Sequence, residues 1–371
     1  MPKRVAPARK APTVGLVLGA GGFVGGAWLT GALLALEDLT GWRPWRADHI
    51  VGTSAGAAIA AMVAGGAAPE EIPELFYGEG LEELREQPGQ MARPRGATFR
   101  WREGWLPALG SPRLAWDALR NPGSVPAGMA MAALLPRGFV DTEPIKEMVR
   151  RVVPEGWAPH RRLWIVACDL DTGNRVPFGS DGAPPTDLAH AVAASCAIPG
   201  FYGPVRIEGR DYVDGGCWST SNLDMLKHAG LDIVVCLNPT SSALPGERWH
   251  ERLRNVYRAA NGRRLDREAA MVEHAGTEVA LVQPGPDDIL AMGNNYMRSS
   301  NLDRVTDVAR ESVGRQLEQT HSWVLDALRV QPAEKRAREG VIVRTLSRIS
   351  SKRTVIQAKP AVAPVRQAKT A

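Results

Sequence analysis

Two short apolar runs, each ending in glycine and each followed by a helix-compatible stretch, restrict this chain more than any other feature. Residues 14–18, VGLVL, run into Gly19-Ala20-Gly21-Gly22-Phe23-Val24-Gly25-Gly26. Residues 48–52, DHIVG, run into Thr53-Ser54-Ala55-Gly56. A short apolar run bounded by turn residues is what a strand buried on both faces of a parallel sheet looks like. After the first run, Ala27, Leu29, Leu33, Leu34 and Leu36 suit a helix ending near Glu37–Asp38. After the second, Ala55 to Ala64 is a small-residue helix closed by Gly65-Gly66. Strand, glycine turn and helix, twice over, predict an α/β fold with an open, mostly parallel central sheet flanked by helices.

The rest of the chain continues this pattern with one interruption. Residues 142–153 read as a helix, 163–168 as a strand, and 205–212 as a hairpin turning at Glu208-Gly209. Residues 233–237 read as another buried strand. Leu302, Val305, Ala309, Val313, Leu317, Thr320, Val324 and Leu328 recur at helical spacing and predict one long amphipathic helix. Residues 70–136 break the regularity, with Trp101, Trp105, Trp116, Met129 and Met131 and no clear strand. They read as a helical insertion packed on the sheet or as a cap facing the substrate. The expected organisation is a basic N-terminus (1–12), one α/β domain (13–330) carrying that insertion, and a basic tail (331–371).

Charge matters here because of where it lies. The formal net charge of +5 hides a body, 11–330, of −7. Residues 331–371 hold ten Lys or Arg against two Glu, and Lys3, Arg4, Arg9 and Lys10 add to the other end. A mildly acidic body argues against nucleic acid as a partner. The Ala/Pro-rich basic tail reads as a disordered segment that could touch anionic lipid, and Ile342, Leu346 and Ile349 within it could form a short interfacial helix. The four cysteines (Cys168, Cys196, Cys217 and Cys236) show no C-x-x-C spacing, and three lie in apolar runs, so reduced thiols and no metal are expected. Basic residues precede the uncharged stretch Val14–Leu36, the order of a signal peptide, but its seven glycines weaken a helix. The expectation is a cytoplasmic protein with, at most, peripheral membrane contact. Nothing in the sequence fixes the oligomeric state.

The stretch Gly19–Gly26 has three readings: an interrupted membrane span, a cradle for a dinucleotide pyrophosphate, or a set of backbone N–H donors for an oxyanion. Gly52-Thr53-Ser54-Ala55-Gly56 bears on the choice. In G-x-S-x-G the chain turns sharply from strand to helix at the serine, and the flanking glycines remove side chains that would collide there. The serine Oγ is left exposed, with the first N–H groups of the helix, beginning at Ala55, aimed at the same spot. A serine needs a base, yet none of His160, His190, His228, His250, His274 and His321 lies in a glycine-bracketed loop after a strand. Tyr212-Val213-Asp214-Gly215-Gly216 instead puts a carboxylate directly after a strand, before two glycines that permit a tight turn. A dinucleotide site would need an acid ending the second strand. Glu37 and Asp38 end a helix, and no tyrosine is followed four residues later by lysine.

Together these residues resemble the patatin-like phospholipases, lipid acyl hydrolases that use a Ser–Asp dyad without histidine. The matching stretches are GAGGFVGG, DHIVGTSAGAAIAAMVAGG (48–66), LWIVACDLDTG (163–173) and AVAASCAIPGFYGPVRIEGRDYVDGG (191–216). The resemblance spans about 14–240 and implies a three-layer α/β/α fold. It implies Ser54 as nucleophile, Asp214 as its partner, and an oxyanion hole from the N–H groups of Gly21 and Gly22, helped by Ala20. Gly19, Gly25, Gly52, Gly56, Gly215 and Gly216 would shape the elbow and turns. A lipid ester is the implied substrate, with no metal or cofactor. One position departs: where the family's glycine loop usually carries Arg or Lys before its last glycine, Val24 or Gly25 stands here. A non-catalytic lipid-binding protein on the same fold and an NAD(P)-dependent dehydrogenase-like protein are the competing readings.

Overall fold

The computed structural model describes residues 11–77, 108–121, 123–160, 162–242 and 249–329. The basic segments 1–10 and 331–371 lie outside these residues, as does the middle of the 70–136 insertion. Eight strands form one sheet in the order β5-β6-β3-β2-β1-β7-β8, with β4 also paired to β3. The strands are β1 (Val14–Leu18), β2 (His49–Thr53), β3 (Leu163–Asp169), β4 (Arg175–Phe178), β5 (Val205–Ile207), β6 (Arg210–Asp214), β7 (Ile233–Leu237) and β8 (Glu278–Val282). The core pairs β3-β2-β1-β7-β8 are all parallel, whereas β4, β5 and β6 pair antiparallel. This is a mixed α/β fold with an open sheet flanked by helices, as the two glycine-ended runs predict.

The parallel strands β1, β2 and β7 are buried at every position, because helices cover both faces. One face presents Val17, Val51, Val166 and Cys236 to Leu265, Ala269 and Val272 of α8 (Trp249–Glu273). The other is covered by α2 (Ala55–Ala64), against which α1 (Gly22–Thr40) packs. α1 is buried without a break from Val24 to Leu36, so it is apolar all round. Its outer side is covered by α10 (Leu302–Thr320), and Thr306 Oγ1 of α10 donates to the Ala27 carbonyl at 3.1 Å. The uncharged Val14–Leu36 stretch is therefore a strand plus a helix enclosed by protein. Among the described residues no helix is long and apolar enough to cross a membrane.

Two elements differ from their sequence reading. α1 begins at Gly22, inside the glycine run, rather than near Ala27. The single long C-terminal helix is two, α10 and α11 (Ser322–Arg329), broken at His321. His321 leaves helical geometry, and its Nε2 lies 3.1 Å from the Leu281 carbonyl of β8. The side-chain spacing continues across the break, which is why the sequence did not show it. Within 70–136 the described residues include α3 (Ile72–Tyr77), α4 (Pro112–Arg120) and α5 (Ala127–Leu134), together with turns and a Leu109–Pro136 bridge. α4 and α5 bury Leu114, Met129 and Ala133 against Cys168, Leu170 and Val213 of the sheet. α6 (Glu143–Val152), α7 (Leu188–Ser195) and α9 (Pro286–Met292) complete the helices.

Candidate active site

The register of β3 brings Ser54 and Asp214 together. β3 pairs with β2 through Leu163–Val166, with β4 through Ile165–Cys168, and with β6 through Ala167–Asp169. A strand has two edges, and β4 overlaps both other partners. β2 and β6 must therefore share the opposite edge. Thr53 stands across from Val166 and Asp214 across from Ala167, so the two strands end tip to tip on adjacent rungs. β6 runs antiparallel to β3, which points its C-terminal end at that of β2. A Cβ on Gly215 would collide with the Val166 carbonyl and reach 3.2 Å from Thr53, so the turn after Asp214 passes tightly over the junction.

At the end of β2, Ser54 adopts φ 54°, ψ −122°, a positive φ at a non-glycine residue. Such backbone costs on the order of 1–3 kcal/mol and persists only where its surroundings enforce it. Several contacts do so here. Ser195 Oγ, at the end of α7, accepts the Ser54 N–H at 2.9 Å and donates to the Val166 carbonyl at 2.6 Å. Asn222 Nδ2 donates to Thr53 Oγ1 at 3.0 Å and to the Ser219 carbonyl at 2.7 Å. Gly56 passes so close to β1 that any Cβ would strike the Leu18 carbonyl, which fixes α2 against the strand end.

Asp214 is 6 % exposed. Its Oδ1 accepts the Gly216 N–H at 2.7 Å, and the Ser54 side chain lies near enough to lower its pKa. Burial pushes its pKa up from 3.8 to about 6, against the lowering effect of the Gly216 N–H and the Ser54 side chain. A carboxylate titrating there is ionised at neutral pH but far more basic than an exposed one, as a general base requires. Cys196 lines the cleft beside Ser54, and burial holds its thiol well above its ordinary pKa and so protonated. Among the described residues no histidine lines the cleft. His160 bonds the Ala47 carbonyl, His190 bonds Asp187, and His49 stacks edge-on to Trp164.

The glycine loop lies beside Ser54. Gly21 and Gly22 N–H have no protein acceptor among the described residues, and Ala55 opens α2, where no intrahelical acceptor exists. Gly22 has φ +59°, and a Cβ there would come within 2.6 Å of the Tyr296 carbonyl. The expectation for Ala20 needs correction: its N–H donates to the Thr220 carbonyl at 2.7 Å and is not available to a ligand. Gly19 is likewise committed, to the Leu237 carbonyl at 2.9 Å, and Gly25 to Gly21 at 2.8 Å.

From Ser54 an apolar cleft opens to solvent, walled by Phe23, Phe76, Ile145, Met148, Ile198 and Met297. α3 thus contributes part of the 70–136 insertion directly to the cleft, while α4 and α5 pack on the sheet. Tyr77 Oη donates to the Phe23 carbonyl at 2.9 Å and ties α3 to the start of α1. Sequence reading missed Ser195 and Cys196, although both lie in the quoted 191–216 stretch. Met297 and Tyr296 carry no local signal.

A serine on a strand-to-helix elbow, a carboxylate from an antiparallel strand and an apolar cleft define a candidate serine hydrolase site for an apolar substrate. The family model of patatin-like phospholipases matches residues 16–227, a span that holds all of these parts except Met297, and the chain belongs to that family. A curated relative, the uncharacterized protein YqhO of Bacillus subtilis (strain 168), is 29 % identical over 212 residues, 54 % of this chain. The matched region spans 62 % of that relative's length. Among solved structures, VipD from Legionella pneumophila is 14 % identical, with a TM-score of 0.41 over 94 % of this chain and 76 % of its own. Human GIVD cytosolic phospholipase A2 is 12 % identical, with a TM-score of 0.43 over 88 % and 64 %. At that level of likeness they bear on neither substrate nor mechanism.

Proposed function

We propose that the protein is a serine lipid acyl hydrolase that cleaves carboxylic esters of phospholipids, lysophospholipids or acylglycerols. The observation that carries this reading is the strained Ser54, which the register of β3 brings beside the buried Asp214 carboxylate, of pKa about 6, at the head of an apolar cleft. Asp214 takes the Ser54 proton as Oγ attacks the ester carbonyl. The tetrahedral oxygen is received by the N–H groups of Gly21, Gly22 and Ala55, each such donor being worth about 2.7–4 kcal/mol of barrier. Collapse transfers the proton to the departing alcohol or lysolipid and leaves an acyl group on Ser54. Water, deprotonated by Asp214, then releases the fatty acid. The cleft's apolar walls suit the acyl chain, and closing them around it excludes water from the ionic steps. The basic tail, 331–371, is proposed to hold the enzyme against anionic lipid.

Labelling with a fluorophosphonate probe, followed by mapping of the modified residue, tests the reading. Ser54 should be labelled in the folded protein, and Asp214→Asn should lower ester hydrolysis by at least about 100-fold, within the range general bases supply. A native protein whose Ser54 stays unlabelled would be a non-catalytic lipid binder. Full activity in Asp214→Asn, with loss on replacing one histidine, would point to a histidine base.

A further inference from the structure

The glycine loop is pressed between two other segments. Pro239, just beyond β7, lies against one side: a Cβ on Gly21 would come within 2.8 Å of Pro239 Cγ, and one on Gly25 within 3.1 Å. On the other side the Tyr296 carbonyl accepts the Val24 N–H at 3.1 Å and abuts Gly22. Pro239 and Tyr296 are far apart in sequence, and a single side chain touches both. Arg258 of α8 donates from Nη1 to the Pro239 carbonyl at 2.8 Å, and its guanidinium carbon lies 5.3 Å from the centroid of the Tyr296 ring. Nη2 rests 3.7 Å from the Met292 sulfur.

Arg258 is 5 % exposed and makes no ion pair among the described residues. The acid whose charge it feels, Asp288, accepts instead from Ser312 Oγ at 2.7 and 2.8 Å and from the Gly285 N–H at 2.8 Å. Desolvation lowers the Arg258 pKa. A buried guanidinium normally has a carboxylate, because leaving a charge dry and unpaired is expensive. Here the compensation is a carbonyl, a ring face and a sulfur. Such a cation is stabilised when negative charge appears nearby, and the proposed reaction creates one on the other side of the glycine loop.

We propose that Arg258 is a positioning residue of the proposed reaction: it braces Pro239 and Tyr296, through them holds the Gly21–Gly22 N–H groups in donor geometry, and places an uncompensated positive charge behind the forming oxyanion. The proposal rests on the acyl-hydrolase reading. It also supplies, from α8, a cation beside a glycine loop that carries none of its own between Gly19 and Gly26. Since Arg258 does not line the cleft, it should leave substrate binding nearly untouched.

The test uses the full chain, a soluble p-nitrophenyl ester and a fluorophosphonate, with Arg258→Met to keep bulk and remove charge, and Arg258→Lys to keep charge on a different head. Arg258→Met should lower kcat and the phosphonylation rate together by about 10- to 100-fold, the scale of a slightly misplaced reacting group, with KM within threefold. Arg258→Lys should recover part of that loss. Unchanged kcat in folded Arg258→Met, or a loss carried by KM, would overturn the proposal. If Arg258→Met does not fold, as judged by thermal unfolding, Arg258→Lys decides alone: a kcat loss of threefold or more at constant KM supports it, and wild-type kcat overturns it. A wild-type protein that is neither labelled nor active would instead remove the acyl-hydrolase reading itself.

Discussion

Burial moves the Asp214 carboxyl from 3.8 to about 6, so its charge changes in a range where most carboxylates stay ionised. In the proposed mechanism the ionised form is the base, and kcat/KM should therefore fall tenfold per pH unit below about 6 and level off above it. The same shift acts on stability with the opposite preference. A group whose pKa is raised by folding stabilises the fold most below its unfolded pKa, and that contribution is lost as pH rises through the folded value. Asp214→Asn, measured by urea unfolding at pH 8, should be more stable than the wild type by up to about 3 kcal/mol, with no such gain at pH 4. The strain at Ser54 adds to this cost, and the proposed function accounts for keeping both where stability alone would not. Ser54 and Asp214 stand out in the sequence because each lies in a local pattern, an elbow and a glycine turn, and the register of β3 brings the two together. The Ala20 donor was misread because its acceptor, Thr220, is 200 residues away. Arg258 could not be read at all, since nothing local marks a buried arginine.

Element by element, legibility followed the match between polarity and burial. β1, β7 and α2 have the bounds their apolar runs predict, and β2 is displaced by one residue from its reading. The hairpin turns at Glu208 (φ 47°) and Gly209 (φ 77°), both in the left-handed region that tight β-turns need. α8 went unread because it inverts the rule: Arg258 and Glu268 are buried, while Val256 and Tyr257 are more than half exposed. The short antiparallel β4 lacks a continuous apolar run, and the run of β8, 279–282, is only four residues long and partly exposed. β2 also carries a weakness at its start. His49 is 1 % exposed, with both ring nitrogens unpartnered and burial lowering its pKa from 6.5 to about 4. It is neutral in the fold and charged in the unfolded chain below 6.5, so stability is lost as pH falls from 6.5 through 4. His49→Phe keeps the aromatic contact with Trp164 and should remove about 2 kcal/mol of the destabilisation that wild type suffers between pH 8 and pH 5. Urea midpoints at the two pH values, compared between variant and wild type, measure it.

For the whole chain, the two titrations pull against each other: acidification favours the fold through Asp214 and opposes it through His49. Wild-type stability between pH 4 and 6.5 is therefore flatter than either group would make it alone. The charge distribution has its own consequence at this scale. The acidic body, 11–330, carries −7 while residues 331–371 carry +8. Removing 331–371 should weaken binding to vesicles containing phosphatidylserine and abolish most of its salt dependence. It should leave hydrolysis of a soluble short-chain ester within twofold. Co-sedimentation at two salt concentrations reads the first outcome, and an identical binding curve for both proteins would dismiss a role for the tail.

The tip-to-tip meeting of β2 and β6 on one edge of β3 also sets a timetable. Ser54 belongs to a local strand–turn–helix unit that can form early, but Asp214 reaches it only after 160 residues of chain have been spanned. Loop-closure entropy makes such long-range pairings the slow ones. During refolding, helix content and collapse would thus run ahead of the meeting of Ser54 with Asp214. In a newly made chain the proposed nucleophile would meet Asp214 late, once the β5–β6 hairpin has docked.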